Sequence, residues 1–243
     1  MLNILIPMAG LGSRFSKNGY KYPKPLIDVN GIPMIQCVIK NLNLHGNYIF
    51  LVLREHYEKY YLKYLLPLIC CENNCEIIIV DSVTEGACCT ALLAKKIINT
   101  NDELIIANSD QFILGWMANN FFNYVNIKQA DGAILTFIDD DSKWSFVKLN
   151  KNSNIISQVA EKKPISNIAS VGIYYWKKGS DFVESAEKMI QQNIRVNNEF
   201  YIAPTYNILI NEGKKIYNYP IAEMHGLGTP EDLNRFLQLE IKV

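Results

Sequence analysis

Apolar runs almost free of charge alternate with amphipathic stretches along most of this chain. Ile4-Leu5-Ile6-Pro7-Met8-Ala9 is the first, Tyr48 to Leu53 the second and Glu76 to Val80 the third, with Leu104 to Ala107 and Ala133 to Phe137 following. A strand that is apolar on both faces has to be covered on both, which is the situation of a parallel sheet between helix layers. Between the first two runs, Met34, Ile35, Val38, Ile39 and Leu42 fall on a 3.6-residue period behind Pro33, which predicts a helix over Met34 to Leu42. His56 to Leu66 reads as a second helix, its tyrosines serving packing, and Ser180 to Gln192 as a later amphipathic one. Asn30-Gly31 marks a tight turn. Strand–helix–strand alternation implies right-handed crossovers and an α/β fold with a mostly parallel central sheet.

The first run ends in a glycine-rich turn, Ala9-Gly10-Leu11-Gly12-Ser13, and Arg14 follows at once. Gly10 and Gly12 permit positive φ and close backbone approach, so that successive N–H groups can converge on an anion. Arg14 adds planar donors suited to phosphate oxygens. Lys24 sits between Pro23 and Pro25, in a segment with little conformational freedom. Two familiar phosphate loops are excluded: Phe15 stands where the dinucleotide fingerprint needs its third glycine, and the Gly-Lys-Ser/Thr of the P-loop is absent.

Three later segments carry chemistry. Gly86-Ala87 opens a helix with small residues, compatible either with close packing or with a flat ligand against the backbone. Asn108-Ser109-Asp110 puts one carboxylate at the C-terminal end of a buried strand, where ligands of open α/β sheets gather. Mg²⁺ is commonly held by one or two carboxylates plus substrate phosphates, and Asp110 suits such an ion. Glu161-Lys162-Lys163-Pro164 ends a β segment, and Ser170-Val171-Gly172 begins the next. Asp139-Asp140-Asp141 reads as a solvated turn, since three adjacent side chains on a loop rarely converge on one ion.

G-x-G-x-R followed by P-K-P-L resembles the signature of the sugar-phosphate nucleotidyltransferases, the enzymes that make nucleotide-activated sugars. The resemblance runs through four motif regions in order and covers nearly the whole chain. It implies a three-layer α/β/α, Rossmann-like fold related to GT-A glycosyltransferases, as one domain over 1–243, with a nucleotide-binding half at about 1–115 and an acceptor-binding half at about 116–243. It implies that Ala9, Gly10, Gly12, Ser13, Arg14, Lys24 and Gly86 hold the nucleoside triphosphate, and that Asp110 binds Mg²⁺. Glu161 and Lys162 would take the sugar hydroxyls and sugar phosphate, Gly172 would leave room for the sugar ring, and Glu199 would line the sugar pocket. Arg14, Lys24, Asp110 and Lys162 are the catalytic set so implied. The choice between Lys162 and Lys163 stays open. Two departures stand out: Asn197 replaces an arginine often found before Glu199, and Gly226, in Met224-His225-Gly226-Leu227-Gly228-Thr229-Pro230-Glu231-Asp232-Leu233, replaces the second metal aspartate of many members. The small capsule and surface-polysaccharide enzymes resemble this chain most in the strand end and tail. Alternatives are a cytidylyltransferase for a phosphorylated alcohol such as phosphocholine, a GT-A glycosyltransferase, and an inactive nucleotide-sensing subunit.

Composition narrows the field further. Across 243 residues, 24 acidic and 24 basic side chains balance, which disfavours nucleic acid and membrane surfaces as partners. No apolar stretch approaches the ~20 residues of a membrane span, and a cytoplasmic setting is expected. The chain has room only for the catalytic domain, without the β-helix tail of larger relatives, and a homo-oligomer is compatible with it. The six cysteines lack C-x-x-C spacing and the three histidines are scattered, so reduced cysteines acting as small hydrophobes are expected.

Overall fold

The uncharged N-terminal run becomes the central strand of the molecule. In the computed structural model, which describes residues 1–239 and 241, β1 (Leu2–Pro7) keeps Ile4, Leu5 and Ile6 entirely from solvent. Next comes a small hairpin, β2 (Asp28–Val29) and β3 (Ile32–Pro33), turned at Asn30-Gly31. β4 (Asn47–Leu53), β5 (Asn74–Val80) and β6 (Glu103–Ala107) complete the first half. β1 pairs in parallel with β4 on one edge and β6 on the other, and β4 pairs in parallel with β5. The predicted helix Met34–Leu42 is present with those bounds.

The second half adds β7 (Gln111–Leu114), β8 (Gly132–Ile138), β9 (Ser145–Leu149), β10 (Ile156–Glu161), β11 (Ile168–Trp176), β12 (Ile216–Pro220) and β13 (Glu223–Gly226). β11 runs antiparallel to β6 and joins the halves in the order β10-β9-β11-β6-β1-β4-β5; β8 and β12 bring the sheet to nine strands. β12 returns parallel to β8, while β13 pairs antiparallel with β7 in a separate ribbon. The α/β fold with a parallel sheet at its heart is the one the hydrophobic pattern predicts.

Alternation along the strands sorts the core into two layers. Ile4 and Ile6 meet Ile35, Val38, Leu66 and Phe121 on one face, whereas Leu5 meets Cys88, Ala91, Phe182 and Ala186 on the other. Each leucine, isoleucine, valine or phenylalanine among them contributes about 1.5–3 kcal/mol on burial, and a one-residue slip would exchange the faces. A third cluster lies beneath one end of the sheet. It unites Phe15, Ile27 and Phe112, one from each of three motif segments, with Leu227, Leu233 and Phe236 from the C-terminal tail.

The helix predicted over His56 to Leu66 is instead two, Arg54–Lys59 and Leu62–Cys70. Tyr61 adopts φ 52 between them. Tyr60 turns back to the proline-rich segment, its hydroxyl 3.4 Å from the Lys21 carbonyl and its ring 6.0 Å from that of Tyr22. Cys37, Cys70 and Cys88 are buried and all six cysteines are free, with burial pushing the Cys37 thiol up to about 11. No helix among the described residues is long and apolar enough to cross a membrane.

Candidate active site

β1 and β6 are adjacent and parallel, so the glycine loop after Pro7 and the Asn108–Asp110 segment after Ala107 emerge at the same edge of the sheet. That edge opens into a cavity of about 590 Å³. Gly10, Gly12, Ser13 and Arg14 form one wall. Gly12 has φ 62, and a Cβ there would lie 3.2 Å from the Cβ of Lys24, so the second glycine lets the loop and the Pro-Lys-Pro turn touch. Pro23 to Leu26 forms a single 3₁₀ turn closed by Leu26 N–H on the Pro23 carbonyl at 2.8 Å, which fixes the direction of Lys24. Its Nζ donates to Asp110 Oδ2 at 2.9 Å, with both side chains about a quarter exposed (26% and 23%).

Asp110 is held from the other side by the tail of the chain. β13 pairs Gly226 with Gln111, and the Leu227 N–H donates to the Asp110 carbonyl at 2.7 Å. A Cβ at Gly228 would fall 2.5 Å from Asp110 Oδ2, so this glycine is a cradle for the carboxylate.

The opposite wall comes from β9, β10 and β11. Glu161, paired in register with Ser145, accepts a hydrogen bond from its hydroxyl. Burial raises the Glu161 pKa above the ordinary carboxylate range and nearby Glu199 adds to this, against the Ser145 hydrogen bond and Lys162. Lys162 takes φ 53, its N–H bonded to the Trp144 carbonyl at 2.9 Å. Its ammonium reaches the Tyr201 hydroxyl and lies 4.4 Å from that ring's centroid. Burial and the neighbouring Glu199 push the Tyr201 phenol upward. Lys162 lines the cavity, whereas Lys163 is exposed outside its lining.

Of the residues singled out in the sequence, Gly10, Gly12, Ser13, Arg14, Lys24, Asp110, Glu161, Lys162, Gly172 and Glu199 line this one cavity. Two do not. Ala9 is buried under the loop at 5% exposure, in the same core layer as Leu5. Gly86, φ 128, presses on the backbone of Phe200, which is bonded to both sides of it through Glu85 and Cys88; Ala87 lines the cavity instead. At Gly172 the space a side chain would need is filled by the side-chain amide of Asn108, and the Asn108 backbone N–H donates to the Gly172 carbonyl at 2.9 Å. The Asn197 departure has a structural counterpart: Arg195 pairs with Glu85 at 2.5 Å and covers the Phe200 ring at 4.0 Å, clipping the Glu199 turn to the Gly86 turn. Asp140 and Asp141 are exposed and Asp139 is half-buried; none of the three lines the cavity, though Asp141 lies 3.7 Å from the Lys143 ammonium at its rim.

Sequence reasoning passes over Lys143, Trp144, Ser145, Tyr201 and Asp232, all of which line the cavity. None lies in a contiguous motif whose residue types announce chemistry, apart from Asp232 in the Gly-Thr-Pro-Glu-Asp-Leu tail.

Comparison with known proteins bears on the family and the fold. The nucleotidyl transferase family model matches residues 4–236. The bifunctional protein GlmU of Thermodesulfovibrio yellowstonii is 26% identical over 253 residues, covering 96% of this chain and 51% of that protein. The chain thus spans about half the length of this curated relative. A nucleoside-diphosphate-sugar pyrophosphorylase from Vibrio cholerae RC9 superimposes with a TM-score of 0.83 at 25% identity, over 97% of this chain and 99% of that one. A UDP-glucose pyrophosphorylase complexed with UDP-glucose shares the fold, with a TM-score of 0.78 at 17% identity, over 98% of each chain.

Proposed function

Because the chain belongs to the nucleotidyl transferase family, we propose that it joins a nucleoside triphosphate to a sugar phosphate, giving a nucleotide-activated sugar and pyrophosphate. The observation that carries this reading is the Lys24–Asp110 pair between a backbone-rich anion loop and a second wall bearing Lys162. A cation at each end of one cavity suits a reaction between two phosphates.

In the proposed step, an acceptor phosphate oxygen attacks the α-phosphorus; a P–O bond forms there, the bond to the β-phosphate oxygen breaks, and pyrophosphate leaves with that electron pair. The attacking oxygen is already ionised near neutral pH, so no general base is required. The work of the protein is alignment and charge neutralisation. The amides of Gly10 to Ser13 and the Arg14 guanidinium bind the triphosphate, with Gly86 holding the Ala87 backbone at the nucleotide wall. Lys24 offsets charge building on the α-phosphate, and Lys162, steadied by Tyr201, draws in the acceptor phosphate. Glu161 and Glu199 accept from acceptor hydroxyls, and Gly172 makes room for the Asn108 side chain at the cavity wall.

Asp110 fits a divalent cation of the Mg²⁺ type: it is a hard oxygen donor, cradled by Gly228, in a cavity sized for phosphates. When bound, the ion would neutralise charge on the α-phosphate and the leaving group. The full reading includes one nucleotidyltransferase unit with nucleotide and acceptor halves, a cytoplasmic setting and a role in surface-polysaccharide synthesis; the last is supported by the likeness of the Gly-Leu-Gly-Thr-Pro-Glu-Asp-Leu tail to the small enzymes of that process.

One feature favours a second acceptor class. The acceptor wall is rich in aromatic rings, Trp144, Tyr174 and Tyr201, which suits a phosphorylated alcohol such as phosphocholine. Pyrophosphate release with Mg²⁺, measured for CTP, UTP, dTTP, GTP and ATP against panels of sugar phosphates and phospho-alcohols, tests both. Release requiring one nucleotide and one acceptor together is expected. No release with any pair, alongside tight binding of a nucleoside diphosphate sugar, would overturn the reading in favour of a glycosyltransferase or a sensor.

A further inference from the structure

Gly226 stands at a position where a side chain is missing, and the structure shows what surrounds it. A Cβ built there would lie 3.7 Å from Asp232 Oδ2 and 3.4 Å from the Trp144 ring. Gly228, two residues on, stands closer still to the other acid: a Cβ there would fall 2.5 Å from Asp110 Oδ2. Two glycines separated by one residue thus form a floor under two carboxylates, both lining the same cavity. Asp232 comes from the first turn of the helix Pro230–Leu237, whose N-cap Thr229 accepts from the Asp232 N–H at 3.1 Å. That hydrogen bond uses only the backbone of Asp232 and leaves its carboxylate for the cavity. The side chain is 16% exposed and has one cationic neighbour among the described residues, the Lys143 ammonium at 3.4 Å, which also lies 4.7 Å over the Trp144 ring. Asp110 has the matching arrangement with Lys24. Beneath the floor, Gln111 is 3% exposed, lines the cavity and carries an amide N–H without a partner among the described residues. A buried unpaired donor at that place calls for an oxygen-bearing group to complete it.

We propose that Asp232 supplies, in place of the side chain missing at 226, the second carboxylate toward the divalent cation whose first is Asp110. The inference rests on the nucleotidyltransferase reading for the identity of the ion. Helix and strand have exchanged the duty: the acid stands on the helix after the Gly-Thr-Pro turn, beside a strand position that carries no side chain. Lys143 neutralises Asp232 until a stronger cation competes for it.

The test is titration of the protein with Mn²⁺ alone, followed by the electron paramagnetic resonance signal of the free ion. Asp232→Asn should weaken Mn²⁺ binding by at least the roughly tenfold loss typical of outer-shell partners of metal ligands, and Asp110→Asn by as much or more. Glu231→Gln removes the same charge from the same helix turn and should leave Mn²⁺ affinity unchanged. Gly226→Asp in the Asp232→Asn background should restore binding, since the added side chain meets only ordinary contacts. Thermal melting of each variant separates loss of binding from loss of fold. Wild-type affinity in Asp232→Asn, no Mn²⁺ bound by the wild type at millimolar concentration, or a folded double variant that recovers nothing would each overturn the proposal. Because the readout is binding without turnover, absence of pyrophosphate release by the wild type would count against the parent reading and these outcomes against this one.

Discussion

The Nζ of Lys24 stands 2.9 Å from Oδ2 of Asp110, across 86 residues of chain; Asp110 stands just past the end of β6, and Lys24 sits on the 3₁₀ turn reached after the glycine loop and the short helix Ser13–Lys17. Without a ligand each neutralises the other, so the site stores a carboxylate and an ammonium in contact without a large uncompensated charge. Lys24→Ala and Asp110→Ala are each expected to lower kcat for pyrophosphate release by about 10²–10³, the scale of a lost charge-stabilising contact. Turnover near wild type in both, at saturating Mg²⁺, would exclude the proposed roles.

Gly228→Ala should act on Asp110 without touching it in sequence. The added methyl would sit 2.5 Å from Oδ2, so the carboxylate has to turn away. The expected result is a kcat well below wild type with melting behaviour little changed, and a larger Mg²⁺ requirement. Steady-state rates across a Mg²⁺ series would show it.

Gly12→Ala combines two penalties. The backbone at φ 62 disfavours a Cβ by about 1–2 kcal/mol, and the methyl would crowd Lys24. A lower urea midpoint together with a raised KM for the nucleotide is expected; a change in stability alone would mean the loop does not bind it.

Tyr201→Phe keeps the ring under Lys162 and removes the hydroxyl that receives its ammonium. The acceptor KM should rise several-fold while kcat and the nucleotide KM hold, because the lysine loses its anchor and keeps its charge. Separate saturation curves for the two substrates distinguish this from a general loss of activity.

Glu161 gives stability a pH dependence of known sign. Burial raises its folded-state pKa, so its contribution is fully present below the ordinary carboxylate range and is lost as pH rises through the raised value. Glu161→Gln should therefore melt higher than wild type at about pH 8, with the gap closing toward about pH 4. A gap that widened on acidification would reverse the assignment.

The parts of the site readable in the sequence are those where one short segment carries both geometry and chemistry. Gly10 to Arg14 follows a buried strand, Lys24 is fixed by prolines on both sides, and Asp110 ends a strand, so each can be placed before any contact is known. The break at Tyr61 cannot be read this way, because the helical period continues across it and the contact beside it, Tyr60 with the Lys21 segment, is distant in sequence. Gly86 and Gly172 are visible as glycines, but what they make room for, the Phe200 backbone and the Asn108 amide, is set by tertiary packing. Asp232 is the sharpest case: its motif is plain, while its meaning depends on the absence of a side chain at Gly226, six residues earlier at the end of the neighbouring strand.

The position of β1 between β4 and β6 also governs the order in which the chain can be completed as it is made. One edge of β1 is covered once Asn47–Leu53 has been synthesised, and the other waits for Glu103–Ala107. β6 then offers its own free edge until Ile168–Trp176 arrives to pair with it. At about 5–20 residues per second, the stretch from Ala107 to Ile168 takes roughly 3–12 s to make. For that time a sheet with an apolar open edge sits at the ribosome, the configuration most prone to pairing with another nascent chain. The glycine loop and Lys24 can settle early; the acceptor wall and the glycines under Asp110 and Asp232 are the last parts of the cleft to exist.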